Sequence, residues 1–212
     1  SLGAAIGDLT HPKADGRRIF ELCGMAALFS ALFGTPLTAC LFVLEVVDVG
    51  RINTRAMLPC MISATVAKLA ARLVGAPEER FPLAAGLAQT GPVTLLQSAG
   101  MGAICAVMAI LFCIVMHRSG KGLRKLIPND YLRIVLGGAV VIGLSLLVGS
   151  RDYNGGGGHV IAEALGGHAR PEAFALKLLF TAITLSSGYK GGEIVPSFFV
   201  GSTLGCVVAP LM

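Results

Sequence analysis

Ser186-Ser187-Gly188-Tyr189-Lys190-Gly191-Gly192-Glu193-Ile194-Val195-Pro196 is a polar, glycine-rich turn between two apolar runs. The run before it extends from about Pro171 to Leu185, and a proline suits a helix start because no amide hydrogen is needed in the first turn. The run after it starts at about Ile194. A similar break, Gly34-Thr35-Pro36, sits in the middle of residues 22 to 44, which are 23 uncharged residues in a row. One helix of that length would span about 30 Å of hydrocarbon, but Gly-Thr-Pro predicts two short helices joined part-way. Lipid cannot satisfy the backbone groups such a turn frees, so protein or a water-filled cavity must surround it. Interrupted apolar segments that occur in pairs mark transport proteins whose sites lie at the ends of broken helices.

Composition agrees with a membrane setting. Of 212 residues, 14% are charged against roughly 25% in a typical soluble protein. Hydrophobic residues make up 54%, mean hydropathy is +0.77, and there are 28 glycines and no tryptophan, which argues against disorder, collagen and a disulfide-stapled fold. The net charge of +5 comes from 17 Lys and Arg spread through short loops, with no basic face and no RNA-binding aromatic motif. That pattern speaks for topology rather than nucleic acid. The six cysteines lie inside apolar stretches without a CxxC pair, and are read as small buried hydrophobes. The start at Ser1-Leu2-Gly3 and the end within an apolar run at Pro210-Leu211-Met212 suggest a fragment of a longer membrane protein.

Further spans are expected from about Ala56 to Val74, Val93 to Met116 and Tyr131 to Gly149. Lys68 and Arg72 can snorkel at the end of the first. Gly100 and Gly102 in the second, and Gly137-Gly138 and Gly143 in the third, suit close helix packing. His117 to Lys125 reads as a basic loop. Counted on to Arg133, it holds Arg118, Lys121, Arg124, Lys125 and Arg133 against Asp130 alone, which places it in the cytoplasm and residues 75 to 92 and 150 to 170 outside. Asp152-Tyr153-Asn154 and Gly155 to Gly158 open an irregular stretch.

These residues together resemble the CLC family of chloride channels and proton-coupled anion antiporters. Ser187 to Pro196, continued by Phe199-Val200-Gly201-Ser202-Thr203-Leu204-Gly205, is similar to the family motif SGxxGGxFxPxLxxGxxxG. Cys23 to Leu37, leading into Leu41-Phe42-Val43-Leu44-Glu45, resembles GxAAGxAAAFxxPLxGxLFxxEE. Ser1 to Gly7 looks like the tail of the helix opened by the GREGP loop. The resemblance implies an all-α polytopic membrane fold of broken and re-entrant helices. Residues 1–212 would be the central part of one such domain, with the end of a first inverted repeat at about 1–75 and the start of a second at about 92–212. The N- and C-terminal parts of that fold, with the GSGIP and GREGP motifs, the gating glutamate and the pore tyrosine, would lie outside the chain.

It also implies a homodimer in the plasma membrane that passes an inorganic anion, chloride or fluoride, as a voltage-gated channel or with protons as an antiporter. No cofactor or metal is implied. The anion would meet the backbone amides of Glu193, Ile194 and Val195, with Gly191 and Gly192 letting it approach. A helix N-terminus supplies unpaired N–H groups and about half a positive charge, enough to favour an anion without a cationic side chain. Glu193 and Glu45 are the proton-coupling candidates. Many members carry a hydrophobic residue where Glu193 stands, and proton-coupled ones an acid where Val46 stands. A glutamate in GGExxP resembles the fluoride/proton antiporter branch, although that branch usually has Thr at the position of Val195.

Plainer roles stand beside these. Glu193 is also placed to cap a helix, and Glu45 to be a solvated or hydrogen-bonded residue at a helix end. Lys177 is read as snorkelling to an interface. His117, His159 and His168 are read as loop residues without ligand spacing, and no GKS or GKT follows Gly155 to Gly158 to make a phosphate loop. No HExxH, GxSxG or Ser/His/Asp grouping suggests an enzyme. The alternative to transport is a membrane scaffold or accessory subunit whose broken helices serve only packing.

Overall fold

The computed structural model describes residues 2–10, 14–47, 54–77 and 91–211, all of them helix or helix connection. The chain divides into two compact units, Ser1–Arg80 and Phe81–Met212. The first holds α1 (Leu2–Thr10), α2 (Ala14–Phe33), α3 (Pro36–Val47) and α4 (Thr54–Val74). The second holds α5 (Pro92–Leu126), α6 (Asp130–Val148), α7 (Gly158–Leu165), α8 (Ala173–Ser186) and α9 (Ile194–Val208), with a 3₁₀ turn at Ala209–Leu211.

In the first unit, α2 ends as the sequence predicts. Gly34 takes φ 67°, its N–H donates to the Ser30 carbonyl at 2.9 Å, and Pro36 opens α3. Close approach of α1 and α2 depends on glycine, because a Cβ on Gly3 would stand 2.5 Å from the Phe20 carbonyl oxygen and 3.2 Å from the Gly24 Cα. Leu22, Ala26, Cys40, Val43, Leu44, Ala56, Cys60 and Ala64 make the core between α2, α3 and α4. Ser30 Oγ donates across it to the Ala64 carbonyl at 2.6 Å. Small residues and short hydroxyls hold these helices together, as expected where lipid gives no hydrophobic drive for helix association.

In the second unit, Tyr153, Val160, Ile161, Ala173, Phe180 and Phe199 form one cluster, and Phe112, Leu178 and Val200 another. Among the described residues, four helical segments are long and apolar enough to cross a membrane: Thr54–Val74, Pro92–Leu126, Asp130–Val148 and Ile194–Leu211. Pro36–Val47 and Ala173–Ser186 are shorter apolar helices.

Several expectations are corrected. The basic segment from His117 is no loop but the last turns of α5, which continues to Leu126, since Arg, Lys and Leu favour helix and only Pro128 stops it. The true connection is residues 127–129, where the Asn129 side chain accepts from the Tyr131 and Leu132 amides and caps α6. Gly158–Leu165 is a helix, α7, so His159 is helical too. Pro171 stands two residues before α8 rather than in its first turn. Cys40 and Cys60 are buried, but Cys105 and Cys113 lie exposed on α5. A Cβ at Gly102 or Gly143 would meet no atom of the described residues within 4 Å beyond the backbone of its own helix. Residues 78–90 of the segment expected outside the membrane fall outside the described residues.

Candidate anion site

The turn between α8 and α9 is built on α6. The α8 C-cap Ser187 is fully buried, its hydroxyl donating to the Ile183 carbonyl at 2.6 Å. It sits directly on Gly137, where any Cβ would overlap its side chain. Gly138 gives the Tyr189 hydroxyl the same freedom, and that hydroxyl donates to the Ile134 carbonyl at 3.1 Å. Between these anchors Gly188 takes φ 103°, which reverses the chain and which a residue with a side chain would resist.

After the turn, Gly191 and Gly192 are exposed, and no atom lies within 4 Å of where a Gly192 Cβ would be. Glu193 is the N-cap of α9, with φ −92° and ψ −13°, and its carbonyl accepts the first helical bond from the Ser197 N–H at 3.0 Å. Its exposed carboxylate forms no capping hydrogen bond. The Ser197 hydroxyl turns to the Ile194 carbonyl at 2.7 Å and does not cap the amides either. The N–H groups of Glu193, Ile194 and Val195 therefore have no acceptor among the described residues, and Pro196 has no N–H to offer. Gly191, Gly192, Glu193, Ile194 and Val195 are thus brought together at one helix start, with three N–H groups that have no acceptor among the described residues beside two exposed glycines.

Glu45 belongs to the other unit. It is exposed two residues before the end of α3, where the helix dipole does not favour a carboxylate, and it makes no hydrogen bond among the described residues.

A feature that sequence reasoning missed lies beneath α9. Lys177 does not snorkel: it is only 1% exposed. Its ammonium donates to the Tyr153 carbonyl at 3.1 Å and the Gly155 carbonyl at 2.6 Å, and lies 4.9 Å from the centre of the Phe199 ring. The tip that would have reached water is satisfied inside the protein by the backbone of the glycine loop. That loop lies on α9. A Cβ on Gly156 would be 3.5 Å from the Val195 side chain, and one on Gly157, at φ 70°, would be 2.7 Å from the Phe199 ring. One signal pointed this way: Lys177 shares helical spacing with Ala173, Phe180 and Thr181, all buried on one face of α8.

The sequence profile described as Voltage gated chloride channel matches residues 1–212. The chain belongs to this family. It is 31% identical to the Chloride/fluoride channel protein of Pseudomonas syringae pv. tomato, an alignment covering 100% of this chain and 49% of that protein. It is 27% identical to the Voltage-gated ClC-type chloride channel ClcB of Citrobacter koseri, over 89% of this chain and 45% of the relative. Among solved structures, that of a CLC-type fluoride/proton antiporter superposes with a TM-score of 0.89 at 30% identity, over 99% of this chain and 54% of that one. The chain spans about half the length of the curated relatives it matches. The fold is all-α and CLC-like, in a multi-pass membrane protein of the voltage-gated chloride channel family.

Proposed function

We propose that the chain forms part of a CLC-type pathway for a small inorganic anion, chloride or fluoride, and that the ion meets the Glu193, Ile194 and Val195 amides. The observation that carries this reading is the set of three unpaired N–H groups behind Gly191-Gly192, at the start of an apolar helix, in a chain of this family. Amide dipoles suit passage because they hold an anion less tightly than a buried cation in direct contact would, and a permeating ion must also leave. Glu193 adds a protonatable group that conduction alone does not need, which favours exchange against protons over a passive channel. The fluoride/proton exchange named for the similar solved structure and the chloride/fluoride channel named for the P. syringae relative agree with this substrate class.

The rest of the reading is that residues of about 1–75 close one inverted repeat and about 92–212 open the next. Loops outside residues 1–212 complete the pore, and two copies associate in the plasma membrane through the apolar faces of α3 and α4. Anion efflux from liposomes holding the full-length protein, with pH recorded at the same time, tests the central claim. Chloride or fluoride efflux that Gly192→Val abolishes is expected. Absence of efflux for either anion, or efflux unchanged by Gly192→Val, would refute it.

A further inference from the structure

Lys177 stands out as a buried charge that the proposed pathway does not yet use. The two carbonyls and the Phe199 ring account for its three N–H groups, yet all are neutral, and among the described residues no carboxylate bridges to it. The Asp152 carboxylate, next to Tyr153 in the chain, is taken up by His159 at 3.1 Å, while the Asp152 backbone N–H donates to the Ser150 hydroxyl oxygen. A buried ammonium without a counter-ion is expensive, and a chain that needed only a hydrogen-bond donor here would do better with a neutral side chain.

We propose that Lys177 is a positioning and electrostatic residue for the anion site. It pins the Gly155–Gly158 loop to the first turns of α9 and leaves a net positive charge behind the helix start where the anion is held. The inference rests on the reading of α9 given above. Its geometry is favourable because α9 links the two places: Phe199 lies against the ammonium, and Ile194, five residues earlier, stands about 7.5 Å along the helix axis. The charge is thus roughly 10–15 Å from the anion, too far to chelate it and near enough to be felt through a low-dielectric interior. At about 12 Å and an effective dielectric constant of about 20, the attraction corresponds to about a tenfold gain in affinity. The ion is favoured without acquiring a contact that would trap it.

Three substitutions separate charge from clamp. Lys177→Gln keeps an N–H donor for the loop carbonyls and loses the charge, Lys177→Met keeps only the stem, and Lys177→Arg keeps the charge. Sodium chloride and sodium fluoride are titrated calorimetrically into the purified full-length protein, with thermal unfolding measured alongside. We expect Lys177→Arg to bind within about twofold of wild type and both neutral variants about tenfold more weakly. Lys177→Gln binding like wild type would overturn the electrostatic role, whatever Lys177→Met does. If neither neutral variant folds, Gly156→Asp and Gly156→Asn decide. A Cβ at Gly156 makes only ordinary contact with Val195, so both should fold, and the aspartate must bind chloride several-fold more weakly than the asparagine. Equal binding by that pair overturns the inference. Gly192→Val monitors the underlying reading: if it leaves anion affinity intact, the α9 site itself is wrong, whereas lost binding in Gly192→Val with full binding in Lys177→Gln faults Lys177 alone.

Discussion

Gly137→Ala should destabilise the protein while Gly143→Ala, six residues further along α6, stabilises it. Both replace glycine by alanine inside one helix, where the backbone preference favours alanine by about 0.8–1.0 kcal/mol. At Gly143 nothing in the chain opposes that gain, since a Cβ there meets no atom within 4 Å. At Gly137 the new methyl would occupy the place of the buried Ser187 side chain. A change of Ser187 rotamer gives no relief, because its Cβ as well as its hydroxyl stands in the way. Either α6 moves off or the turn after α8 does, and overpacking of this kind costs about 1–3 kcal/mol. The net effect of Gly137→Ala is a loss of about 0–2 kcal/mol, and the gap between the two variants about 1–3 kcal/mol.

For a chain of this size that gap is about 2–12 °C in Tm, readable from thermal unfolding of the detergent-solubilised protein. Ser187→Gly in the Gly137→Ala background removes both colliding atoms and should recover most of the overpacking loss, as the coupling in a double-mutant cycle. Because the turn also carries Gly191 to Val195, Gly137→Ala should weaken chloride binding and Gly143→Ala should not. Equal Tm shifts for the two alanine variants would refute the claim that α6 buttresses the site.

Glu193→Gln should leave Tm nearly unchanged, because the carboxylate forms no cap, and should uncouple proton movement or stop turnover; wild-type coupled exchange by this variant would end its assignment as a proton carrier. Lys121→Cys, exposed on the far end of α5, should react with a membrane-impermeant thiol reagent from the cytoplasmic side, and labelling from outside intact cells would invert the proposed topology. The Ser150 hydroxyl chiefly, and then His159, hold the Asp152 carboxyl below its usual range. A depressed carboxylate contributes stability that is full above its unfolded pKa of about 3.9 and is lost as pH falls through the lower native value. The stability gap between wild type and Asp152→Asn should therefore be level above about pH 5 and close in more acid solution, and a gap that widens there would contradict the sign. Residues 1–212 expressed alone should self-associate in detergent yet give no anion efflux above empty liposomes, since one helix start offers an anion donors on one side only.

Much of the fold was legible because helix breaks are written in local chemistry. Gly34-Thr35-Pro36 carries its own explanation: a residue free to take positive φ, then a proline that opens a helix. The α8–α9 turn was equally plain, and so was the placing of Gly191 to Val195 at a helix start. The segment from His117 to Lys125 misled in the other direction, because Gly120 and Gly122 each cost a helix about 1 kcal/mol and yet α5 passes through them to Leu126. α7 was missed because the three glycines Gly155 to Gly157 before it and Gly158 as its first residue read as an irregular stretch. Lys177 was misread for a different reason. A lone lysine in an apolar helix usually finds water by its own length, and the carbonyls that hold this one come from 22 and 24 residues earlier in the chain.

Several buried polar side chains around the α9 start are paired within the chain. Thr181, Ser187 and Thr203 are buried, and each hydroxyl donates to the carbonyl four residues earlier in the chain. Tyr189 and Lys177 reach carbonyls of other segments, and Arg133 reaches the Ile127 carbonyl and Asp130. Arg133 Nε and Ser186 Oγ, by contrast, are buried without a partner among the described residues. The amides of Glu193, Ile194 and Val195 have no acceptor among the described residues, and neither neighbouring glycine nor the uncapped carboxylate covers them; no side chain caps the starts of α5, α7 and α8 either. Gly191, Gly192 and Glu193 are exposed, so these donors are open to water or to an ion. Under the proposed function the passing anion pairs these donors, at a helix start carried on α6 and faced by the loop that Lys177 holds.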